Sequence, residues 1–166
     1  YVKVKNLRVV DQNGSGDDWA GIVEIEVFGS EEATDKPPVW KLDTANKIVS
    51  GMTLGTTVAS FIEGFHGADV KVTDADGKAV SGSALLGTGM KATYNGTTFQ
   101  AALPGDLTGD GKTMITDVME ACKILARKSL NIEPTAVEKI AGDVNGDTSV
   151  NITDVMGLCK ILAQKA

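Results

Sequence analysis

The sequence predicts a chain of several modules: a small β-rich or α+β region, then an all-α C-terminal region made of two loop–helix units joined by a short helix. Three observations carry this expectation. Residues 106–128 repeat at 143–165 with 14 identities in 23 positions, at an offset of 37 residues, and a duplication of that size implies one structural unit used twice. Alternating and β-branched runs dominate before Pro104-Gly105, and helical apolar spacing dominates after it. An acidic, proline-bearing stretch with Glu31, Glu32, Asp35, Pro37 and Pro38 propagates neither strand nor helix and reads as a linker. The expected divisions are therefore 1–30, a linker at 31–38, then 39–103 and 104–166.

Within 1–30, the β-branched runs at 1–10 and 22–28 flank a polar, glycine-rich stretch and predict a long hairpin. Within 39–103, Thr56 and Thr57 are caps for a short helix reaching Phe65. Residues 70–73 and 78–80 flank Asp74-Ala75-Asp76-Gly77 as one hairpin. Residues 91–94 and 97–101 flank Asn95-Gly96, a pair that tolerates positive φ, as another. The region reads as a compact α+β or β-sandwich module. After residue 104, Val118, Ala121 and Leu125 in the first copy and Val155, Leu158 and Leu162 in the second make one apolar face each. Between them Pro134 leads into a short helix over 135–141.

The 166 residues carry 42% hydrophobic side chains, enough for a core, with a formal net charge of -6. That charge repels phosphate backbones, so nucleic acid is not an expected partner. No apolar run approaches the length of a membrane helix, so membrane insertion is not expected either. Two cysteines and one histidine cannot build a Cys/His zinc cluster. No paired carboxylates at strand ends and no Ser-His-Asp order are legible, so no catalytic residue is expected and the region 39–103 reads as a spacer or as added interface. The chain opens on a strand-like segment without a charged-then-apolar leader and reads as an internal or C-terminal piece of something longer.

Each repeat opens with oxygen-bearing side chains at alternating positions and closes with an aspartate at the twelfth. The first copy offers Asp106, Thr108, Asp110 and Asp117; the second offers Asp143, Asn145, Asp147 and Asp154. Position 7 adds a main-chain carbonyl, from Lys112 or Ser149, and Asn151 at position 9 ligates directly or through water. A hard cation such as calcium takes six to eight oxygens, and a tight 12-residue loop wraps them around one point. The expected cofactor is two calcium ions, with carboxylates converging in each loop and metal binding coupled to folding. Met114 has no oxygen for position 9 and Thr108 replaces the usual Asn or Asp, so the first site is expected to keep an extra water. In the second loop Thr148 stands where Gly111 eases the turn in the first, which predicts backbone strain.

The loops resemble the EF-hand pattern, but residues 97–105 end in helix breakers directly before Asp106, so the incoming helix is missing. A duplicated loop-then-helix with a short helix between resembles the dockerin family, calcium-dependent modules that plug cellulosomal and related proteins into cohesin modules of a scaffold protein. The resemblance covers 104–166. It implies that the chain is no enzyme itself but a secreted or cell-surface bacterial assembly module, with a cohesin as partner and a polysaccharide reached only through a carbohydrate-active parent protein. It also implies a cohesin-binding set of Ile115, Thr116, Lys123 and Arg127 in the first copy and Ile152, Thr153, Lys160 and Gln164 in the second, with Cys122 and Cys159 in the same register. The region 39–103 is similar in position to the X-modules and small immunoglobulin-like modules that adjoin dockerins. Residues 1–29, and 19–29 above all, look like the final two strands of a truncated discoidin-type carbohydrate-binding module; the alternative is a hairpin belonging to the middle module. Sugar binding by that N-terminal part is the competing functional reading.

Cys122 and Cys159 occupy equivalent places in the duplicated unit and are expected to stay unbridged, as small residues at the edge of the core. His66, between Gly64 and Gly67, reads as a surface residue, and Trp19 and Trp40 as core more than sugar platforms.

Overall fold

Strand β1 (Lys41–Asp43) turns back into β2 (Ile48–Ser50), and the pair is antiparallel. The turn between them is closed by Asp43, whose carboxylate accepts from the backbone and side-chain amides of Asn46. This computed structural model describes residues 36–164; the expected hairpin at 1–30, Trp19 and most of the linker lie outside the described residues. Helix α1 (Val58–Glu63) starts at Thr57, whose hydroxyl accepts from Ser60 N as the sequence predicts, and buries Val58 and Phe61.

Strands β3 (Val70–Thr73), β4 (Lys91–Tyr94) and β5 (Thr97–Ala101) complete one five-stranded sheet in the order β1-β2-β5-β4-β3, with β2 and β5 parallel and the remaining pairs antiparallel. The β4–β5 hairpin forms over Asn95 and Gly96, at φ 47° and 74°. The expected hairpin of 70–73 with 78–80 does not: β3 pairs with β4, and Ala79 keeps only an isolated bridge to Thr73. The carboxylate of Asp74 accepts from Asp76 N and Lys78 N, which tightens the turn locally. The chain then leaves the sheet edge. A single sheet with one helix is the α+β alternative, not the sandwich. Its core gathers Val49, Met52, Val58, Phe61, Phe65, Val70, Val72, Leu86, Ala92, Phe99, Ala101 and Leu103. Trp40 packs on this core, stacks on Phe61 and donates its indole N–H to Phe61 O at 2.8 Å, a structural placement rather than an open sugar platform. His66 is half-buried, in the left-handed region at φ 55°.

Three helices follow: α2 (Ile115–Ser129), α3 (Ala136–Gly142) and α4 (Ile152–Ala163). The apolar faces of α2 and α4 meet through Val118, Ala121, Val155 and Leu158, with Leu107, Leu125, Val144 and Leu162 packed around them. Helix α3 starts two residues after Pro134, under a capping box in which Thr135 and Glu138 exchange hydrogen bonds. It ends on Asp143, the first residue of the second loop. The incoming helix is thus absent only from the first loop, which β5 feeds through buried Ala102 and Leu103. The described residues belong to one compact unit, and a hydrogen bond from Gly105 N to Ala141 O ties the entry of the first loop to the end of α3.

Candidate functional site

The two loops repeat one hydrogen-bond plan. In the first, Asp106 Oδ1 accepts from Gly109 N and Asp110 N, and Oδ2 from Gly111 N. In the second, Asp143 Oδ1 accepts from Gly146 N and Asp147 N, and Oδ2 from Thr148 N. The closing carboxylates match as well. Asp117 Oδ1 accepts from Leu107 N and Thr108 N, and Oδ2 from Met114 N; Asp154 accepts from Val144 N, Asn145 N and Asn151 N in the same way. Each leading aspartate folds the loop back on itself, and each closing aspartate fastens the loop's start to the first turn of the helix after it, where its charge also favours the positive end of the helix dipole.

Position 6 is left-handed in both loops, at φ 76° for Gly111 and 69° for Thr148. The strain expected at Thr148 is present, since a β-branched residue rarely adopts that region.

Asp106, Asp117 and Asp154 are fully buried. Among the described residues, the only ion pairs are Lys123 with Glu120, Arg127 with Glu138 and Lys139 with Glu133, so no lysine or arginine pairs directly with a loop carboxylate, and Lys128 acts on Asp147 only from a distance. Burial pushes the Asp106 carboxyl above its ordinary range, against the N–H donors of Thr88, Gly111 and Gly109; the neighbouring Asp117 charge pushes the same way as burial. Asp147 is held below the usual carboxylate range by Ser149 N–H and then by the amides of Asn145 and Asn151. Buried carboxylates without a protein counter-charge, in loops otherwise lined by hydroxyl, amide and carbonyl oxygens, suit a hard cation.

The convergence of three carboxylates does not appear: among the described residues no three His, Cys, Asp or Glu side chains are grouped so as to hold a metal ion. The fifth-position aspartates turn to the chain instead. Asp110 accepts from Lys112 N, and Asp147 accepts from Ser149 N and from the side-chain amides of Asn145 and Asn151. Thr108 donates its hydroxyl to Asp117. Asn145 also reaches Thr153, and the carbonyl of Ser149 accepts from Asn151 at 3.4 Å. The residues named for the cation therefore line each loop together, but their oxygens are partly satisfied by one another.

The helix residues of the expected partner surface divide by face. Ile115 and Ile152 are 62% and 61% exposed, and Thr116, Thr153, Cys122, Cys159, Lys123, Lys160 and Gln164 are exposed too. Both cysteines are free, as expected, but on the open surface and not at the core edge. Arg127 is half-buried, its guanidinium bonded to Glu138 of α3. Sequence reasoning missed Met119 and Met156, which are 55% and 65% exposed. The signal was in the repeated Ile-Thr-Asp-Val-Met: a methionine four residues after the isoleucine lies one turn along on the same face, and the cysteine three further extends the row. Ile115, Met119 and Cys122 thus form one exposed apolar row, and Ile152, Met156 and Cys159 its equivalent.

Residues 104–163 match a family model described as Dockerin type I domain, and this part of the chain is a dockerin domain. No curated protein and no solved structure matches the chain. Dockerin domains are non-catalytic assembly modules that bind calcium and pair with cohesins, and they occur in extracellular cellulosome proteins. No helix among the described residues is long and apolar enough to cross a membrane.

Proposed function

We propose that this chain, which carries a dockerin type I domain at residues 104–163, is a two-calcium docking module. It presents the rows Ile115-Met119-Cys122 and Ile152-Met156-Cys159 to a cohesin on a scaffold protein and so anchors the carbohydrate-active parent of which it is part. The observation that carries this is the pair of equivalent exposed apolar rows, each rising from the turn that its loop's closing aspartate holds. Bound calcium would supply the charge that balances the loop carboxylates. In the first copy Asp106, Thr108, Asp110, Asp117 and the Lys112 carbonyl would hold it; in the second, Asp143, Asn145, Asp147, Asn151, Asp154 and the Ser149 carbonyl.

The chain's own residues do the rest. Asp117 and Asp154 receive the N–H groups that open α2 and α4, which fixes where Ile115-Thr116 and Ile152-Thr153 stand. The inner faces lock the two helices together, so neither row rotates into the core. Full coverage of one isoleucine contributes about 1.5–3 kcal/mol, Thr supplies a hydroxyl, and Lys123 and Lys160 at the rim mainly steer approach. Because the rows are equivalent, a cohesin is able to engage either one.

Excess EDTA should abolish binding to cohesins, measured by pull-down and calorimetry, and added calcium should restore it. Replacing Ile115 and Met119 by Ala should cost little when the second row substitutes, as should replacing Ile152 and Met156. All four together should remove binding while helical content and calcium uptake persist. Cohesin binding that survives EDTA rejects the calcium dependence; complete loss from one pair alone rejects the two-row reading.

A further inference from the structure

The first loop is walled in by a segment of the sheet region that has no counterpart at the second. Thr88 N donates to Asp106 Oδ2 at 2.8 Å, a fourth donor from outside the loop. The Thr88 hydroxyl donates to Leu103 O and accepts from Leu103 N, just before the loop begins. The segment is itself anchored on both sides: Leu86 N donates to Thr56 O, beside the start of α1, and Gly89 N to Ala101 O, at the end of β5.

The approach of the two backbones is close enough to exclude side chains. A Cβ at Gly87 would lie 1.9 Å from Gly109 O, one at Gly109 2.5 Å from Thr88 O, and one at Gly111 2.8 Å from Leu86 O. At Gly146, the second-loop equivalent of Gly109, a Cβ would meet nothing within 4 Å. Asp106 is fully buried where Asp143 is only half-buried.

We propose that residues 85–89 are an outer wall of the first calcium loop, with Thr88 as a positioning residue for Asp106, so that the first loop and not the second draws its calcium affinity from the sheet region. The inference rests on the reading that the loops hold calcium. The physical reason is twofold. An N–H donor from a rigid neighbour fixes the orientation of a ligating carboxylate, and removing such an outer partner typically lowers metal affinity about 10–100-fold. A wall that keeps water off the loop also strengthens the attraction between carboxylate and cation. The wall compensates for Met114, which leaves the first loop one oxygen short where the second has Asn151.

The test is calcium titration of the full chain and of Gly87→Ala, read by calorimetry and by the backbone amide resonances of residues 109–111 for the first loop and 146–148 for the second. Gly82→Ala is the control within the sheet region, since its added Cβ would make an ordinary contact of 3.5 Å with Ala59. Gly87→Ala should weaken the first loop by about tenfold or more and leave the second unchanged, with Gly82→Ala resembling the unaltered chain. The Trp40 indole N–H resonance reports whether the sheet core is intact. Where Gly87→Ala disturbs it, Thr88→Ala carries the test: it keeps the N–H but removes the hydroxyl that ties residue 88 to Leu103, so it should weaken the first loop alone, and Thr88→Ser should restore it. An unaltered chain whose amides at 109–111 ignore calcium refutes the calcium reading and this inference with it. A calcium response at 109–111 that survives these variants at full affinity, or a loss shared equally by both loops, refutes the wall alone.

Discussion

The two copies of one repeat have been finished by different neighbours. The first loop lies under the sheet region, its leading aspartate fully buried and bonded by four backbone N–H groups, one of them from Thr88. The second stands in solvent, with residues 145–149 exposed, and is stitched together by its own side chains: Asn145 and Asn151 both reach Asp147, and Thr153 donates to Asn151. Near-identical sequence therefore produces one loop supported from outside and one supported from within. The substitutions between the copies follow that division. Asn at position 9 occurs where no wall exists, and glycine at position 6 where one does.

The largest expected difference comes from deleting the leading aspartate. Asp106→Ala strands four N–H groups, in a place water reaches poorly, and Asp143→Ala strands three in an open loop. An unsatisfied buried donor costs about 1–3 kcal/mol, so Asp106→Ala should lower stability by about 3–5 kcal/mol and Asp143→Ala by clearly less. Calorimetric unfolding in excess calcium measures both. Equal losses would mean that the sheet region lends the first loop nothing.

An exchange at position 6 comes next. The backbone is left-handed at both sites, so conformational preference alone would make glycine better in both. Space separates them: a Cβ at Gly111 would lie 2.8 Å from Leu85 Cβ as well as from Leu86 O, whereas Thr148 is exposed. Gly111→Thr should therefore destabilise by about 2–3 kcal/mol through overpacking and loosen residues 85–89, seen as faster amide exchange there. Thr148→Gly should raise stability by up to about 1 kcal/mol by relieving the strained φ. A harmless Gly111→Thr would remove the steric basis of the comparison.

How much of this was legible follows from sequence distance. The duplication, helices α2 and α4 and the β4–β5 hairpin are local patterns, and each formed where Val118, Leu158 or Asn95-Gly96 announced it. The parallel pairing of β2 with β5 joins Ile48 to Gln100 and Val49 to Ala101, a relation no local window contains. The β3 partner was misread for the same reason: Asp74-Ala75-Asp76-Gly77 is a real turn, but β3 pairs with β4, its partners 18 to 24 residues on, from Thr73↔Lys91 to Val70↔Tyr94. At residues 85–89 the sequence predicts no strand, helix or motif. Their role shows once Gly87, Gly109 and Gly111 are seen to meet backbone to backbone.

The smallest expected effect concerns position 8, Thr113 in the first copy and Val150 in the second. Both are essentially without exposure. Each packs toward the glycine before its loop, where a Cβ at Gly105 would lie 3.0 Å from Thr113 Oγ1 and one at Gly142 would lie 2.9 Å from a Val150 methyl. The Thr113 hydroxyl has no hydrogen-bond partner among the described residues. Threonine and valine share a shape, so Thr113→Val exchanges an unsatisfied buried hydroxyl for a methyl group without opening a cavity, which should stabilise by about 1 kcal/mol. The reverse exchange, Val150→Thr, should cost about as much or more, because it puts a hydroxyl at a buried position now held by a methyl group. Chemical denaturation at fixed calcium separates the two, with an unchanged slope showing that the folded state keeps its extent. A destabilised Thr113→Val would mean that the hydroxyl serves the first loop, through a bound water or through the backbone around Gly105, and that the copies differ at position 8 by function as well as by packing.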